Sequence, residues 1–239
     1  MNSSSQVGGD FPHFMWQEIH QQPDVLATCL SQSLAAPALP LPSQIHILAC
    51  GSSRHAGLVA QYWFEQVARI PTRVRSASEY GAAPLPLVPD TLTIAITQSG
   101  ETSDTLTAVD RYRQQAAPLP FASRLRLLGI TNQPASSLAQ RVDQVLPTLA
   151  GAEIGVAATK TFISQLGVLA ALMVGFVQRS QTLPESELQQ LVHHLRSLPQ
   201  QIQSILKQDS ALQQLAAAFV LTKHSIVLGQ GVNRAIALE

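Results

Sequence analysis

The chain has 239 residues, of which 46% are hydrophobic and 13% charged, so it is long and apolar enough to bury a sizeable core. Its 15 basic side chains balance its 15 acidic ones, which excludes a long-range field toward nucleic acid or a membrane surface. The two cysteines, Cys29 and Cys50, give neither a disulfide framework nor a four-ligand zinc site, and no basic-then-apolar leader is present. We therefore expect a cytoplasmic protein that uses no metal and no cofactor.

The N-terminal region predicts a polar tail followed by a helix. Residues 1–9 are small and polar, so we expect a mobile end, with order beginning near Phe11. Apolar residues recur at helical spacing over residues 15–34, where Pro23 marks either a kink or the first turn of a second helix.

Short apolar runs alternate with helical patterns through the middle of the chain, which predicts a parallel α/β sheet covered by helices on both faces. The most apolar stretch, residues 166–177, is shorter than the roughly 20 residues that cross a bilayer, so we interpret it as a buried helix. The predicted strands cover residues 45–50, 72–77, 92–97, 125–131 and 145–149. The predicted helices follow Gly51 to about Val67, cover residues 105–115 and 136–141, and begin again near Thr159.

The pattern changes after Pro184. Two amphipathic helices rich in Gln and Leu are predicted, over residues 185–198 and 200–221. Residues 225–228 then resemble a new strand, and Gly229 and Gly231 a new turn.

The segment from Thr97 to Thr102 is the most informative for function. It follows a predicted buried strand and opens a helix, so free backbone N–H groups and the positive end of the helix dipole converge beside Gly100. Hydroxyls on Thr97, Ser99 and Thr102 add uncharged donors, an arrangement that suits a phosphate monoester. The Gly-Lys-Ser/Thr ending of a nucleotide P-loop is missing, and an ordinary capping box without a ligand is the alternative interpretation.

Two further turns strengthen the ligand-binding interpretation. Residues 50–53 (CGSS) also join a strand to a helix, so two glycine-and-hydroxyl turns lie at the carboxyl edge of one parallel sheet, where α/β proteins bind ligands. A third polar turn, residues 151–160, follows the last predicted strand and could close the same pocket.

Three motifs carry a family resemblance. Residues 49–65 (ACGSSRHAGLVAQYWFE), 96–106 (ITQSGETSDTL) and 150–162 (AGAEIGVAATKTF) resemble the sugar isomerase (SIS) domain in order and spacing. More narrowly, they resemble the first of two such domains in the isomerase half of the glutamine:fructose-6-phosphate aminotransferase family. Residues 10–23 resemble the segment before that half, and residues 228–239 the opening of its second SIS domain.

The resemblance implies a flavodoxin-like five-stranded parallel sheet flanked by helices, with an N-terminal helix and a C-terminal helical segment. It divides the chain into residues 1–43, a tail and helical lead-in; residues 44–180, the SIS domain; and residues 181–239, linker helices and the start of a second SIS domain. It implies a hexose 6-phosphate ligand, fructose 6-phosphate or glucosamine 6-phosphate. The implied substrate-binding residues are Ser52, Ser53, Thr97, Gln98, Ser99, Thr102, Val156 and Ala158. The family has a serine at the position of Ala158, so this chain lacks one hydroxyl there.

The resemblance also implies what the chain does not contain. The family's glutaminase nucleophile is an N-terminal cysteine, and its acid–base residues for isomerisation lie in the second SIS domain, beyond Glu239. We therefore assign no catalytic residue and expect binding without turnover, with self-association through SIS or helical surfaces. Two alternatives are a relative of the ketosamine-phosphate deglycases and deaminases, and a non-enzymatic sugar-phosphate sensor, against which the absence of a basic DNA-binding face argues.

Four histidines and one glutamate are candidates for catalysis, metal binding or sugar binding. We favour a structural interpretation of each. His46 in a predicted strand and His55 early in a helix are more often packed or solvent-facing than catalytic. His193 and His194 have no carboxylate or cysteine at metal-ligand spacing. Glu101 is interpreted as a helix cap rather than a sugar ligand.

Overall fold

The computed structural model describes residues 13–36 and 39–239, so the predicted mobile tail and the start of order near Phe11 lie outside the described residues. Five parallel strands form one sheet in the order β2-β1-β3-β4-β5. The strands are β1 (Gln44–Ala49), β2 (Thr72–Ser76), β3 (Thr91–Ile96), β4 (Arg126–Thr131) and β5 (Gln144–Pro147). The helices are α1 (Phe14–Ala35), α2 (Gly51–Gln66), α3 (Ser103–Ala116), α4 (Lys160–Ser180), α5 (Glu185–Leu206), α6 (Asp209–Ala217) and α7 (Val232–Leu238).

The five predicted strands and the parallel sheet are confirmed. Every residue of β3 is buried, as expected of a central parallel strand with helices on both faces. The strand order reverses between β1 and β3, which are hydrogen-bonded neighbours with Ala49 opposite Ile96. In open α/β sheets the crevice beyond the strand ends at such a reversal is where ligands bind.

Two apolar cores lie on opposite faces of the sheet. On one face Ile47 and Ile94 pack with α1, α2 and α4, whereas on the other Leu48 and Ala95 pack with α3. Helix α4 has the length and apolar composition of a membrane span, but 72% of that apolar window is buried inside the protein. A helix buried to this extent is a core helix, which agrees with the prediction for residues 166–177.

Helix α1 is continuous through Pro23, so the proline starts no second helix. It packs closely on α4, because a Cβ at Gly167 would stand 2.9 Å from Leu26 Cδ1 and 3.2 Å from Cys29 Sγ. The Cys29 thiol donates to the Ser164 carbonyl, and its burial raises the pKa of Cys29 to about 11. Helix α1 is thus fixed to the helix that follows the third turn.

The predictions after Pro184 need correction. Helix α5 runs through Pro199 to Leu206, so the predicted break at residue 199 is wrong. Pro199 is buried, and α5 packs against α1, so tertiary packing keeps the helix continuous although the proline ring removes one hydrogen bond. The predicted strand over residues 225–228 is also wrong. Ile226 is 87% exposed, and among the described residues no neighbouring strand is available for pairing.

One smaller correction concerns residues 136–141. The predicted short helix is present only as a three-residue 3-10 turn, Ala139–Arg141.

Candidate functional site

Two turns meet at the carboxyl ends of β1 and β3. Residues 50–53 follow β1 and open α2, and residues 97–102 follow β3 and open α3. Because β1 and β3 are hydrogen-bonded neighbours, the two turns lie side by side. We call these two segments together the cradle.

Backbone N–H groups in the cradle are free to donate. Helix α2 begins after Cys50 and helix α3 after Thr102, and within the described part of the chain neither start has a side-chain cap. The N–H groups of Ser52, Ser53 and Ser103 have no acceptor among the described residues. Unsatisfied N–H groups at two adjacent helix starts, each at the positive end of a helix dipole, favour an anion.

The cradle hydroxyls are arranged as donors. Ser53 Oγ accepts a hydrogen bond from Gln165 Nε2 at 3.0 Å, and Ser99 Oγ accepts one from the Glu101 N–H at 3.1 Å. Thr97 Oγ1 and Thr102 Oγ1 lie 2.7 Å apart, so one donates to the other and the pair keeps one further proton. Since a hydroxyl carries one proton and accepts through its lone pairs, each of these contacts leaves a proton directed elsewhere. A phosphate oxygen is a suitable acceptor.

Gly100 shapes the second turn. Its φ is +70°, a left-handed conformation that favours glycine, and a Cβ there would overlap the Ser136 side chain. The Gly100 carbonyl accepts from the Leu138 N–H at 3.0 Å. The turn is therefore packed against the segment that follows β4, and a larger residue does not fit at position 100.

Three charged residues lie in or beside the cradle, and Glu101 is held by a hydrogen bond within the protein. The Glu101 carboxylate accepts the Ser137 N–H at 2.7 Å, and this hydrogen bond lowers the pKa of Glu101 below its usual value. Glu101 precedes α3 and accepts the Ser137 N–H instead of an N–H of α3, so the predicted cap is wrong. Asp104 lies in the first turn of α3, and Arg54, whose buried Nε has no partner among the described residues, follows Ser53.

A loop over residues 151–159, which we call the strap loop, connects the two sides of the cradle. At its start the Asn132 side chain donates to the Gly151 carbonyl, while the Asn132 N–H donates to the Gln98 carbonyl at 3.0 Å. At its end begins α4, whose Gln165 contacts Ser53. The strap loop thus runs from the second cradle turn toward the first.

The start of α4 differs from the starts of α2 and α3 because it already holds an anion. Glu153 Oε1 accepts the Thr159 N–H at 2.9 Å and the Thr161 N–H at 3.3 Å. The hydroxyls of both threonines also donate to the Glu153 carboxylate. An internal carboxylate therefore occupies the position that a ligand would take at a free helix start.

The structure places the sequence-predicted residues in two groups. One group is in the cradle and contributes hydroxyls or backbone groups: Ser52, Ser53, Thr97, Gln98, Ser99 and Thr102. The other group, Val156 and Ala158, lies in the strap loop. The Val156 side chain is fully exposed and makes no contact with the cradle.

Three polar residues at the site were missed by the sequence reasoning. Asn132 directly follows β4. Ligand sites of parallel sheets form at the carboxyl ends of the strands, so this position could have been predicted from the sequence. Gln165 directly precedes the apolar run of residues 166–177, and the structure buries it to 2% exposure. Glu153 gives no signal in sequence, because its partners are fixed only by the path of the strap loop.

The other polar residues that the sequence raised have structural surroundings. His46 is 1% exposed within β1, and burial, with a smaller contribution from the Arg73 charge, lowers its pKa to about 4. His55 Nδ1 lies 2.7 Å from Glu239 Oε2. The His193 and His194 rings lie 6.0 Å apart at an angle of 57°, and in the described ranges no group of three or more potential ligands could hold a metal ion.

These features define a class of protein: a parallel α/β domain with two helix starts that expose free backbone N–H groups and hydroxyls at the topological reversal of its sheet. Comparison with known families makes the assignment specific. The SIS domain family matches residues 42–175, which include β1 to β5 and both cradle turns. The chain belongs to the SIS domain family.

The similarity extends beyond the domain. A glutamine–fructose-6-phosphate aminotransferase (isomerizing) from Thermosynechococcus vestitus is 46% identical over 247 residues, covering 96% of this chain and 40% of the relative. The enzyme of the same name from Synechocystis is 43% identical, again over 96% of this chain and 40% of the relative. The chain therefore spans about two fifths of the length of these curated relatives.

A solved structure agrees with the sequence matches. The C-terminal domain of glucosamine-fructose-6-phosphate aminotransferase from Francisella tularensis superposes with a TM-score of 0.88 at 31% identity. That alignment covers 97% of this chain and 66% of the other. The resemblance read from the motifs is confirmed: the chain is homologous to the isomerase region of this aminotransferase.

Proposed function

We propose that the chain binds a hexose 6-phosphate, with the phosphate in the cradle and the sugar toward the strap loop. The observation that carries the proposal is the set of uncharged donors at the starts of α2 and α3. Free N–H groups, and hydroxyl protons that the protein's own hydrogen bonds leave unused, suit an acceptor-only group such as a phosphate dianion. The ligand class is suggested by the names of the homologues, which act on fructose 6-phosphate.

In this proposal the chain serves amino-sugar biosynthesis as the sugar-phosphate-binding part of a glutamine–fructose-6-phosphate aminotransferase-like protein. The described cradle supplies groups that grip and orient an anion. His46 is buried inside β1 and His55 contacts Glu239, so we assign neither histidine to the cradle as an acid–base residue. Binding without turnover remains our prediction for these 239 residues.

We also propose that the protein acts in the cytoplasm and self-associates. Free thiols at Cys29 and Cys50 and a mostly buried α4 support the location. Exposed apolar side chains beyond α5 support self-association, because such a surface favours burial against another chain. They include Leu215, Phe219, Leu221, Ile226 and Leu228. Light scattering after size exclusion should show a species larger than 25.7 kDa, and a single monomer at high concentration would contradict this.

Titration calorimetry with fructose 6-phosphate, fructose and inorganic phosphate tests the ligand proposal. We expect fructose 6-phosphate to bind most tightly, inorganic phosphate weakly and fructose least. Thr102→Val, which replaces the hydroxyl with a methyl group of similar shape, should weaken fructose 6-phosphate binding roughly tenfold. Thr107→Val is the matched control, since Thr107 is an exposed residue of the same helix.

Two results would overturn the proposal. One is the absence of fructose 6-phosphate binding at millimolar concentration by the folded protein. The other is equal binding of fructose and fructose 6-phosphate, which would mean that the phosphate makes no contact.

A further inference from the structure

A buried carboxylate of α1 holds the strap loop. Glu18 is 3% exposed, and its Oε2 accepts the Gly155 N–H at 3.0 Å. Its Oε1 accepts the same N–H at 3.2 Å and also the Ile154 N–H. Burying a carboxylate is costly unless it is hydrogen-bonded, and two successive backbone N–H groups form a concave anion site that offsets this cost.

The loop is shaped to receive this carboxylate. A Cβ at Gly155 would overlap Glu18 Oε2 and stand 3.4 Å from Met15 Cα, so only glycine allows the loop to approach α1 this closely. The loop residues on either side, Ile154 and Val156, are exposed. The contact is therefore a specific attachment of loop backbone to α1 and not the edge of an apolar core.

Glu18 and Glu153 attach the strap loop at two points that bracket three residues. Glu18 fixes the backbone at Gly155, and Glu153 fixes it at Thr159. The residues between these points, 156–158, include both positions, Val156 and Ala158, that we expect to face the sugar.

Helix α1, which carries Glu18, is itself held in place by α4. It is fixed to α4 by the close packing at Gly167 and by a hydrogen bond, 2.7 Å long, from Lys160 Nζ to Gln21 Oε1. Lys160 is 4% exposed, so this amide contact lies inside the junction of the two helices. The strap loop is therefore attached, through α1, to α4. The same helix carries Gln165, which donates a hydrogen bond to Ser53 in the cradle.

We propose that Glu18 is a positioning residue for the sugar end of the ligand. It acts through the Gly155 backbone and fixes the distance between residues 156–158 and the sugar. The phosphate of the same ligand is held independently by the cradle. The N-terminal helix is then part of the binding site and not only a lead-in. This inference rests on the proposed function.

The test separates the two ends of the ligand. Fructose 6-phosphate and inorganic phosphate are each titrated by NMR into the full chain, as the unaltered protein and as three variants: Glu18→Ala, Glu18→Gln and Asp24→Asn. Asp24 is the matched control, because it is an exposed carboxylate of the same helix. Thermal unfolding is recorded for each variant to establish that it is folded.

We expect Glu18→Ala to weaken fructose 6-phosphate binding roughly tenfold while inorganic phosphate binding changes less than twofold. Glu18→Gln retains one acceptor oxygen for the two N–H groups and should recover most of the affinity. Asp24→Asn should behave as the unaltered protein. In the Glu18→Ala variant the Gly155 amide resonance should move upfield as its hydrogen bond to the carboxylate is lost.

The contrary results are distinct. Equal weakening of both ligands would show general damage to the domain and overturn the positioning role, as would an unchanged fructose 6-phosphate affinity in a folded Glu18→Ala variant. Failure of the unaltered protein to bind fructose 6-phosphate would overturn the proposed function, and the positioning role with it.

Discussion

The second cradle turn and the strap loop look alike in sequence but use their backbone donors in opposite ways. Each contains a glycine with a positive φ, Gly100 at +70° and Gly151 at +66°, and each leads into a helix. In the cradle turn the N–H groups at the start of α3 have no acceptor in the part of the chain that the structure describes. In the strap loop Glu153 takes the N–H groups at the start of α4, and Glu18 takes two more.

The difference shows that a carboxylate of the protein itself can take the N–H groups of a helix start, which leaves none there for an external anion. A glycine-rich turn before a helix is therefore insufficient evidence, and the search must include every carboxylate within reach of the helix start. Here it separates the cradle, whose helix starts keep free N–H groups, from the strap loop, whose N–H groups are taken by Glu153 and Glu18.

The largest expected effect comes from breaking the cradle turn at Gly100. Gly100→Ala places a methyl group into Ser136 and also forces an alanine into a left-handed conformation. Overpacking and backbone strain together should cost about 3–5 kcal/mol of folding free energy and abolish fructose 6-phosphate binding. Urea denaturation at pH 7 and calorimetry measure the two effects.

Gly151→Ala is the control for that substitution. Gly151 has a similar positive φ, but nothing lies within 4 Å of a Cβ built there. Only the backbone strain remains, about 1–2 kcal/mol. If both variants lost the same stability, the packing of Gly100 against Ser136 would have no energetic weight.

The second-largest expected effect is a loss of folding stability at low pH. It limits the pH range in which the cradle turn and the strap loop can be compared, because both are attached to the same sheet. Burial of His46 holds its pKa at about 4 in the folded state, whereas the unfolded chain has the ordinary value near 6.5. The unfolded state therefore binds the extra proton first. Stability should be complete above pH 6.5 and fall by roughly 3 kcal/mol as the pH decreases through 4.

Denaturation midpoints between pH 8 and pH 4 measure this loss. His46→Leu should remove most of the dependence below pH 6.5. The same slope in the variant and in the unaltered protein would assign the acid sensitivity to other groups.

The smallest expected effect comes from the strap loop. Glu153→Gln removes the negative charge from the start of α4 and disturbs the donors on Thr159 and Thr161, which should cost about 1–2 kcal/mol. Glu187→Gln is the matched control, because Glu187 is an exposed acid in the first turn of α5 and contributes only to the helix dipole. Equal losses of folding free energy in Glu153→Gln and Glu187→Gln would mean that the hydrogen bonds of Glu153 add no stability beyond the effect of its charge.

The fold was largely readable because apolar runs such as residues 92–97 are typical of strands buried on both faces. Local spacing also located both cradle turns, since a turn lies where a strand pattern changes to a helical one. Asn132 was readable by the same rule and was missed. Pro199 was predicted to break the helix, but α5 packs against α1 and stays continuous, and local sequence does not contain that packing.

The rest of the site depends on contacts between distant residues. Glu18 and Gly155 are 137 positions apart, and Ser53 and Gln165 are 112 apart. No periodicity or spacing encodes such a pair, because its partners are brought together only by the packing of α1 and α4. The apolar residues 225–228 failed as a strand for a related reason, since a strand needs a partner that local sequence does not specify.

A crystal structure of the chain with fructose 6-phosphate tests the central claim most directly. The account predicts phosphate oxygens within hydrogen-bond distance of the Ser53 and Ser99 hydroxyls and of a free N–H at the start of α2 or α3, with the sugar facing the strap loop. A sugar phosphate bound at another surface, or bound with its phosphate in solvent and the cradle hydroxyls turned inward, would contradict it.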